Sequence, residues 1–357
     1  KIDDLTVRFT LPNKYSPFLS LLVIGVVPVN SEEKDNPLMP TTSNDFRVAK
    51  IERTGSFIDK ITLITTNSKY KIKKISFKFY PNDEELKTAA KLGEIEGFAS
   101  DSKCCDDLEN FQDYQYPVQG VYYSLYFNLR NEKFSDVELR RKMRKVLPIE
   151  DLTYTRGIPV QGPISRSFFT SKNIDYKTYD KTFSDDLKDI SVEIAVPNEK
   201  IHVTLAENIA KVWKDKLGIN VSIRKEKPET FVQEVIDIRN FEILLYGQEV
   251  GRDPDRYVLW HSTQKDSPNL NISGFEQIRV DRALEEGRNE IDNENRLVHY
   301  NEFQRVVDEQ VPVIFLYHPF VHHYASNYIE GIGQKHTFTY WDRFLDFANW
   351  KKIGSVN

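Results

Sequence analysis

Between residues 189 and 250 the spacing of apolar residues changes period four times, and this pattern constrains the fold more than any other feature. "DISVEIAVPN" (189–198) reads as a strand. "HVTLAENIAKVWKDKLG" (202–218) then places Leu205, Ile209, Val212, Trp213 and Leu217 on one helical stripe, with Gly218 as its stop. "INVSIRKEK" returns to alternation through Ile219, Val221 and Ile223, "ETFVQEVIDIRN" reads as a second helix, and "FEILLYGQEV" as a third strand. A β-α-β-α-β run of this kind makes a sheet covered by helices, so the expected class is α/β.

The flanking sequence extends this reading. Val7, Phe9 and Leu11 alternate with Thr6, Arg8 and Thr10, the pattern of a half-buried strand. "KKISFKFYPN" (73–82) predicts a strand, and "DEELKTAAKLGEIEGF" (83–98) turns helical until Gly93. "YYSLYFNL" (122–129) is another strand. "SDVELRRKMRKVL" (135–147) carries the spacing of a capping box, Ser135 with Glu138. Two helices with a break near "DNEN" fill 278–310, and 311–325 is a strand or long crossing segment.

With 357 residues the chain is long for one core, and two domains is the natural expectation. The formal net charge of −5 argues against a nucleic-acid partner, which would require a basic face. "RRKMRK" (140–145) and "KYKIKK" (69–74) read as a solvated helix face and a strand edge. The two cysteines, Cys104 and Cys105, are adjacent, and neighbours rarely meet disulfide geometry, so no bridge is expected. The longest apolar run, "FLSLLVIGVVPV" (18–29), is too short to span a bilayer and reads as a buried segment. The opening residues look like the middle of a folded unit, so an N-terminal portion is expected to be missing.

No catalytic constellation stands out. There is no HExxH, CxxC or GxSxG, and "GIGQK" (331–335) lacks phosphate-loop spacing. His318, His322, His323 and His336 cluster in sequence but straddle Pro319, so hinge or surface histidines are expected rather than metal ligands. No enzyme activity, cofactor or metal is expected.

Five segments stand out in order: "TVRFTLPNKYSPFLSLL", "KFYPNDEELKTAAKLGEIEGF", "YFNLRNEKFSDVELRRKM" with Asn128, Asp136 and Arg140, "GRDPDRYVLWHS", and "RLVHYNEFQRVVDEQVPVIFLYHP". Together they resemble extracellular solute-binding protein family 5, the oligopeptide/dipeptide-type receptors of ABC importers. Pro148 departs from the pattern by cutting short the helix after Arg140. The resemblance implies a bilobal, periplasmic-binding-protein-like type II fold. Lobe I would hold 1–124 with 319–357, and lobe II 125–318. Crossing segments near Tyr122–Asn128 and Tyr317–Tyr324 would act as the hinge. It also implies an extracytoplasmic, lipid-anchored, monomeric receptor that closes on an oligopeptide or dipeptide and docks on ABC permease subunits, with membrane association only through the missing part. Same-fold receptors for a nickel chelate, haem or a sugar, or a solute-sensing regulator with a DNA-binding N-terminal part, are the alternatives.

In that setting the loop after the third strand faces the ligand. Asp253 and Glu249 are the candidates to pair with a ligand α-amino group, since a buried ammonium requires a partner. Asp253–Pro254–Asp255 also fits a plain turn, because Asx side chains bond nearby backbone and Pro fixes φ. Arg252 is a candidate for a ligand carboxylate. Tyr246, Tyr257, Trp260, Tyr122 and Asn128 complete the expected ligand-binding set, with core packing the competing role for Trp260.

Overall fold

The computed structural model describes residues 1–3, 5–23, 44–165, 169–170, 178–333 and 337–354. The second half of the apolar run 18–29 and His336 lie outside these residues, as does part of the "GIGQK" segment. The chain divides into two compact units: a larger one of Lys1–Leu22 with Gln119–Pro319, and a smaller one of Val23–Val118 with Phe320–Asn357.

The smaller unit begins with an antiparallel three-stranded sheet, β1 (Arg47–Thr54), β2 (Phe57–Ile64) and β3 (Lys74–Lys78), in that order. Helix α1 (Asp83–Lys91) starts where the Asn82 side chain accepts a hydrogen bond from Glu85 N (3.0 Å) and stops before Gly93, whose φ of +71° few other residues adopt. β4 (Gly97–Ser100) and β5 (Phe111–Pro117) follow. Between them lie the two cysteines. Contrary to expectation, Cys104 and Cys105 form a disulfide between adjacent residues. Cys105 is buried and packs with Ala90, Phe98, Leu108 and Tyr324, so this local core holds the loop in the shape that the ring needs.

The larger unit is built on a mixed sheet. β6 (Val121–Phe127) leads through Asn128 to α2 (Val137–Lys145), α3 (Ile149–Thr153) and β7 (Gly157–Pro159). Next come β8 (Ser191–Pro197), α4 (Lys200–Leu217), β9 (Asn220–Glu226) and β10 (Ile243–Glu249). β8 runs parallel to both β9 and β10, as the β-α-β pattern requires, while β6 is antiparallel to β10. Helices α5 (Ile278–Asn289) and α6 (Asn293–Gln310) are separated at Asp292, which caps α6 by accepting from Asn295 N (3.0 Å). β11 (Val313–Ser326) pairs with β6 and β7 through its first half, which belongs to this unit. Its second half, in the smaller unit, pairs with β4 and β5. One core of Leu125, Phe127, Met143, Ile194, Ile209 and Trp213 fills the space between the sheet and α2 and α4. The Trp213 indole N–H donates to Met143 O (2.8 Å), so even the largest side chain there is satisfied.

Three local expectations are corrected. Residues 6–11 form no strand, and Val7 and Phe9 are 62% and 57% exposed; alternation marks a surface that fits a sheet but supplies no partner. The N-cap of α2 is Asp136, which accepts from Glu138 N (2.8 Å), because Ser135 Oγ already donates to Glu132 O (2.7 Å) and closes the preceding turn. "ETFVQEVIDIRN" forms only a short π-type turn, Val232–Ile236, ending near Arg239 at φ +55°.

Candidate functional site

β10 ends at Glu249, and the loop it feeds is the one singled out from sequence. On one face of the β6–β10 pair, Tyr122, Ser124 and Tyr126 stand opposite Gln248, Tyr246 and Leu244. Tyr122 and Tyr126 both donate their hydroxyls to Gln248 Oε1 (3.1 Å each). Burial pushes the Tyr122 phenol up to about 12, so it stays a donor at any physiological pH. On the other face Gly247 lies under the Tyr123 ring; a Cβ there would sit 2.8 Å from it. Tyr123 stacks on Tyr317 at 5.0 Å.

Three arginines then fix the loop 250–256. Asp253 Oδ1 accepts from Arg296 Nη2 (2.8 Å) and from Asp255 N (2.9 Å), and Oδ2 accepts from Arg296 Nη1 (3.3 Å). Arg296 is buried, and it also donates to Gly287 O (3.1 Å) and the Tyr300 hydroxyl (3.2 Å). Asp255 Oδ2 accepts from Arg288 Nη2 (2.8 Å), whose guanidinium lies 4.2 Å from the centre of the Tyr257 ring. Arg256 is fully buried and, among the described residues, reaches three carbonyls: Pro163 O (3.0 Å), Asp253 O (2.6 Å) and Asp255 O (3.1 Å). Burial lowers its pKa. The two aspartates therefore make Asx turns and two ion pairs at once, which orders a loop that would otherwise be loose.

The eight expected site residues differ in burial and in engagement. Tyr122, Asn128 and Trp260 are interior. Asn128 Nδ2 donates to Phe241 O (2.9 Å) and Arg239 O (3.2 Å), tying down the chain before β10. Trp260 is 2% exposed and packs against Phe275, Phe303 and Phe315. Asp253 is engaged with Arg296. Tyr246, which stacks on Phe231, and Tyr257, which stacks on His261 at 4.1 Å, are half-buried. Glu249 and Arg252 are exposed, Glu249 at the carboxyl end of β10 opposite Val121. Sequence reasoning missed Arg256, Arg288, Arg296 and Gln248. Arg296 opens the quoted "RLVHY" segment, and two Asp in one loop already called for cationic partners elsewhere.

The segment around Asn128, Asp136 and Arg140 is architectural as well. Arg140 is 4% exposed and donates to Gln310 O, Val311 O and Phe134 O, closing the carbonyl end of α6. Burial brings its pKa down to about 10. The histidines are buried rather than superficial. In the larger unit His318 pairs with Val121 O (2.7 Å). In the smaller unit His322 pairs with Asp113 (2.8 Å), and His323 lies between Trp350 and Phe344.

Residues 1–269 match the family model of bacterial extracellular solute-binding proteins, family 5 (middle region). The chain matches no curated protein sequence. It is similar to the ABC transporter substrate-binding protein CtaP of Listeria monocytogenes, at 18% identity and a TM-score of 0.81, over 99% of this chain and 77% of that one. It is similar to NikZ of Campylobacter jejuni, solved with Ni(L-His), at 21% identity and a TM-score of 0.75, over 96% and 76%. It is also similar to the oligopeptide-binding protein AppA of Bacillus subtilis, solved with a nonapeptide, at 19% identity and a TM-score of 0.71, over 97% and 76%. At these identities the likeness is one of fold: the α/β fold of the periplasmic binding proteins. The matched family is one of binding proteins and is extracytoplasmic. No helix among the described residues is long and apolar enough to cross a membrane. The family match covers well over half of the 357 residues, and the chain belongs to the extracellular solute-binding proteins of family 5.

Proposed function

We propose that this protein is the peptide receptor of an ABC importer. It takes an oligopeptide or dipeptide by hinge closure of two lobes, 1–124 with 319–357 and 125–318, and does no covalent chemistry. The receptor is monomeric, works in the periplasm or at the outer face of the cytoplasmic membrane, held there by a lipid anchor, and delivers its load to permease subunits. AppA and its bound nonapeptide support the ligand class by analogy of fold.

The observation that carries the peptide reading is Glu249. In open α/β sheets ligands bind beyond the carboxyl ends of the strands. Glu249 is an exposed carboxylate at such an end, whereas both oxygens of Asp253 already meet Arg296. We assign the pairing with the ligand α-amino group to Glu249, and to Asp253 the shaping of the loop. Arg252, two residues past Val250, is the candidate for a ligand carboxylate, and Tyr246 and Tyr257 for aromatic walls that tolerate varied side chains. Tyr122, Asn128 and Trp260 support these groups from the interior.

Native mass spectrometry of the protein purified from its own extract tests the ligand class. A ladder of short peptide masses supports this reading. A single metal complex, in the manner of NikZ, overturns it.

A further inference from the structure

We propose that the three-stranded sheet of the smaller unit is a docking surface for an anionic lipid leaflet. Residues 44–78 carry nine Lys and Arg against three Asp and Glu, in a chain whose formal net charge is −5. The strand register sorts these charges onto one side. Arg47, Lys50 and Glu52 of β1 stand opposite Ile64, Thr62 and Lys60 of β2, which in turn stand opposite Lys74, Ser76 and Lys78 of β3. Residues directly opposite share a face, so this face holds Arg47, Lys50, Lys60, Lys74 and Lys78 with Glu52 as the one acid among them. The other face presents Val48, Ile51, Ile61, Leu63, Ile75 and Phe77, all half-buried. Phe77 meets the Phe344 ring edge-on at 6.1 Å, so the apolar face is the one turned toward the unit's own side chains.

The cationic face is only partly neutralised. Glu52 pairs with Lys60 (2.7 Å) and Lys50 (3.2 Å), and Glu94 with Lys78 (3.6 Å). Arg47 and Lys74 have no acidic partner among the described residues, and neither do the exposed Arg53 and Lys71. Strands lie about 5 Å apart and alternate residues about 7 Å apart, within a Debye length of about 10 Å, so an approaching surface meets these charges as one field. Four of the five cations on the face are lysines. A lysine is a mobile point charge, not a fixed bidentate fork, and suits a fluid layer of phosphates better than a single oriented anion.

Two exposed aromatic rings at one end of the sheet choose the leaflet over a soluble polyanion. The β1–β2 turn, with Gly55 at φ +62°, brings Phe57 to its tip, 76% exposed. Phe79 N donates to Asp59 O (2.9 Å), which places Phe79, 55% exposed, at the same end. Lys60 and Lys78 lie beside them, paired across β2 and β3. A polyanion in water has no use for the rings. At a lipid surface the rings sink into the headgroup boundary while the lysine stems reach up to phosphate. The surface does not rest on the peptide-receptor reading, and it adds a contact of its own to the lipid anchor expected from sequence.

The test is co-sedimentation of the full chain with vesicles of one part phosphatidylglycerol to two parts phosphatidylcholine, beside vesicles of phosphatidylcholine alone and soluble polyphosphate as competitor. The expected result is saturable binding to the anionic vesicles in about 50 mM salt, lost in about 500 mM salt, and no binding to phosphatidylcholine alone. Arg47→Gln and Lys74→Gln should each weaken binding about fivefold. Phe57→Ser should weaken it by a similar factor while the urea midpoint stays unmoved. No binding to the anionic vesicles, equal binding to the neutral ones, or anionic binding that Lys74→Gln leaves unchanged would overturn the proposal. Full binding in the Phe57→Ser variant, with polyphosphate displacing the vesicles, would make the face a polyanion site and overturn it as well.

Discussion

Replacing Asp253 by Ala separates the two roles its carboxylate has been given. The change removes two contacts from Arg296, at 2.8 and 3.3 Å, and the turn bond from Asp255 N at 2.9 Å. It leaves a guanidinium whose side chain is 5% exposed without its counter-ion. Removing one member of a buried pair costs about 3–5 kcal/mol. Arg296 keeps Gly287 O and the Tyr300 hydroxyl, and Asp253 itself is 14% exposed, so the lower part of the range applies, about 3–4 kcal/mol. In urea, with fluorescence from Trp213 and Trp260 of the larger unit, this is a midpoint shift of about 1 M. Arg296→Met alone should cost a similar amount. The double variant should recover at least half, because no buried charge is then left unpaired. Peptide affinity of the double variant should stay near that of the parent. An unchanged urea midpoint for Asp253→Ala together with lost peptide binding would refute this reasoning and make Asp253 the anchor.

Glu249→Gln should weaken peptide binding at least about tenfold, with the urea midpoint unmoved, as calorimetry on a purified peptide can check. Burial, and to a lesser degree Arg156 for His202 and Arg343 for His323, brings both pKa values down to about 4. The unfolded chain therefore binds more protons between pH 6.5 and 4. Stability should fall as the pH drops through that window, by up to about 3 kcal/mol for each histidine. His202→Gln and His323→Gln should each flatten a plot of urea midpoint against pH. Arg140→Met should expose the carbonyl end of α6 and cost about 2–3 kcal/mol in the same assay. The Cys104–Cys105 ring closes almost no chain, so Cys104→Ala with Cys105→Ala should cost only about 1 kcal/mol, and thiol titration should find no free thiol before reduction.

Much of the architecture was readable because it is periodic. Alternation and helical stripes placed β8, α4, β9 and β10 within a few residues, and Gly93 and Gly218 end helices at positive φ as a terminating glycine should. Where a local pattern met a tertiary fact, it failed. Val7, Phe9 and Leu11 alternate but find no neighbouring strand among the described residues, and Ser135 gave up its cap to the turn before it. Local rules counted against a bond between Cys104 and Cys105, yet the packing of Cys105 on Phe98 and Tyr324 sets the loop for one. The site was harder to read for the same reason. The acids of the loop were visible in "GRDPDRY", but their partners lie 33 and 43 residues further along the chain, on α5 and α6. Asn128, Asp136 and Arg140 carry the family resemblance, and each satisfies backbone groups. Motif residues that recur in a sequence pattern can be the ones that hold corners together.

The central claim is capture by closure, and small-angle X-ray scattering of the full chain tests it most directly. On adding a saturating mixture of short peptides, the radius of gyration should fall, and Glu249→Gln should require more peptide to produce the same fall. A radius that stays constant while calorimetry records peptide binding would contradict the account.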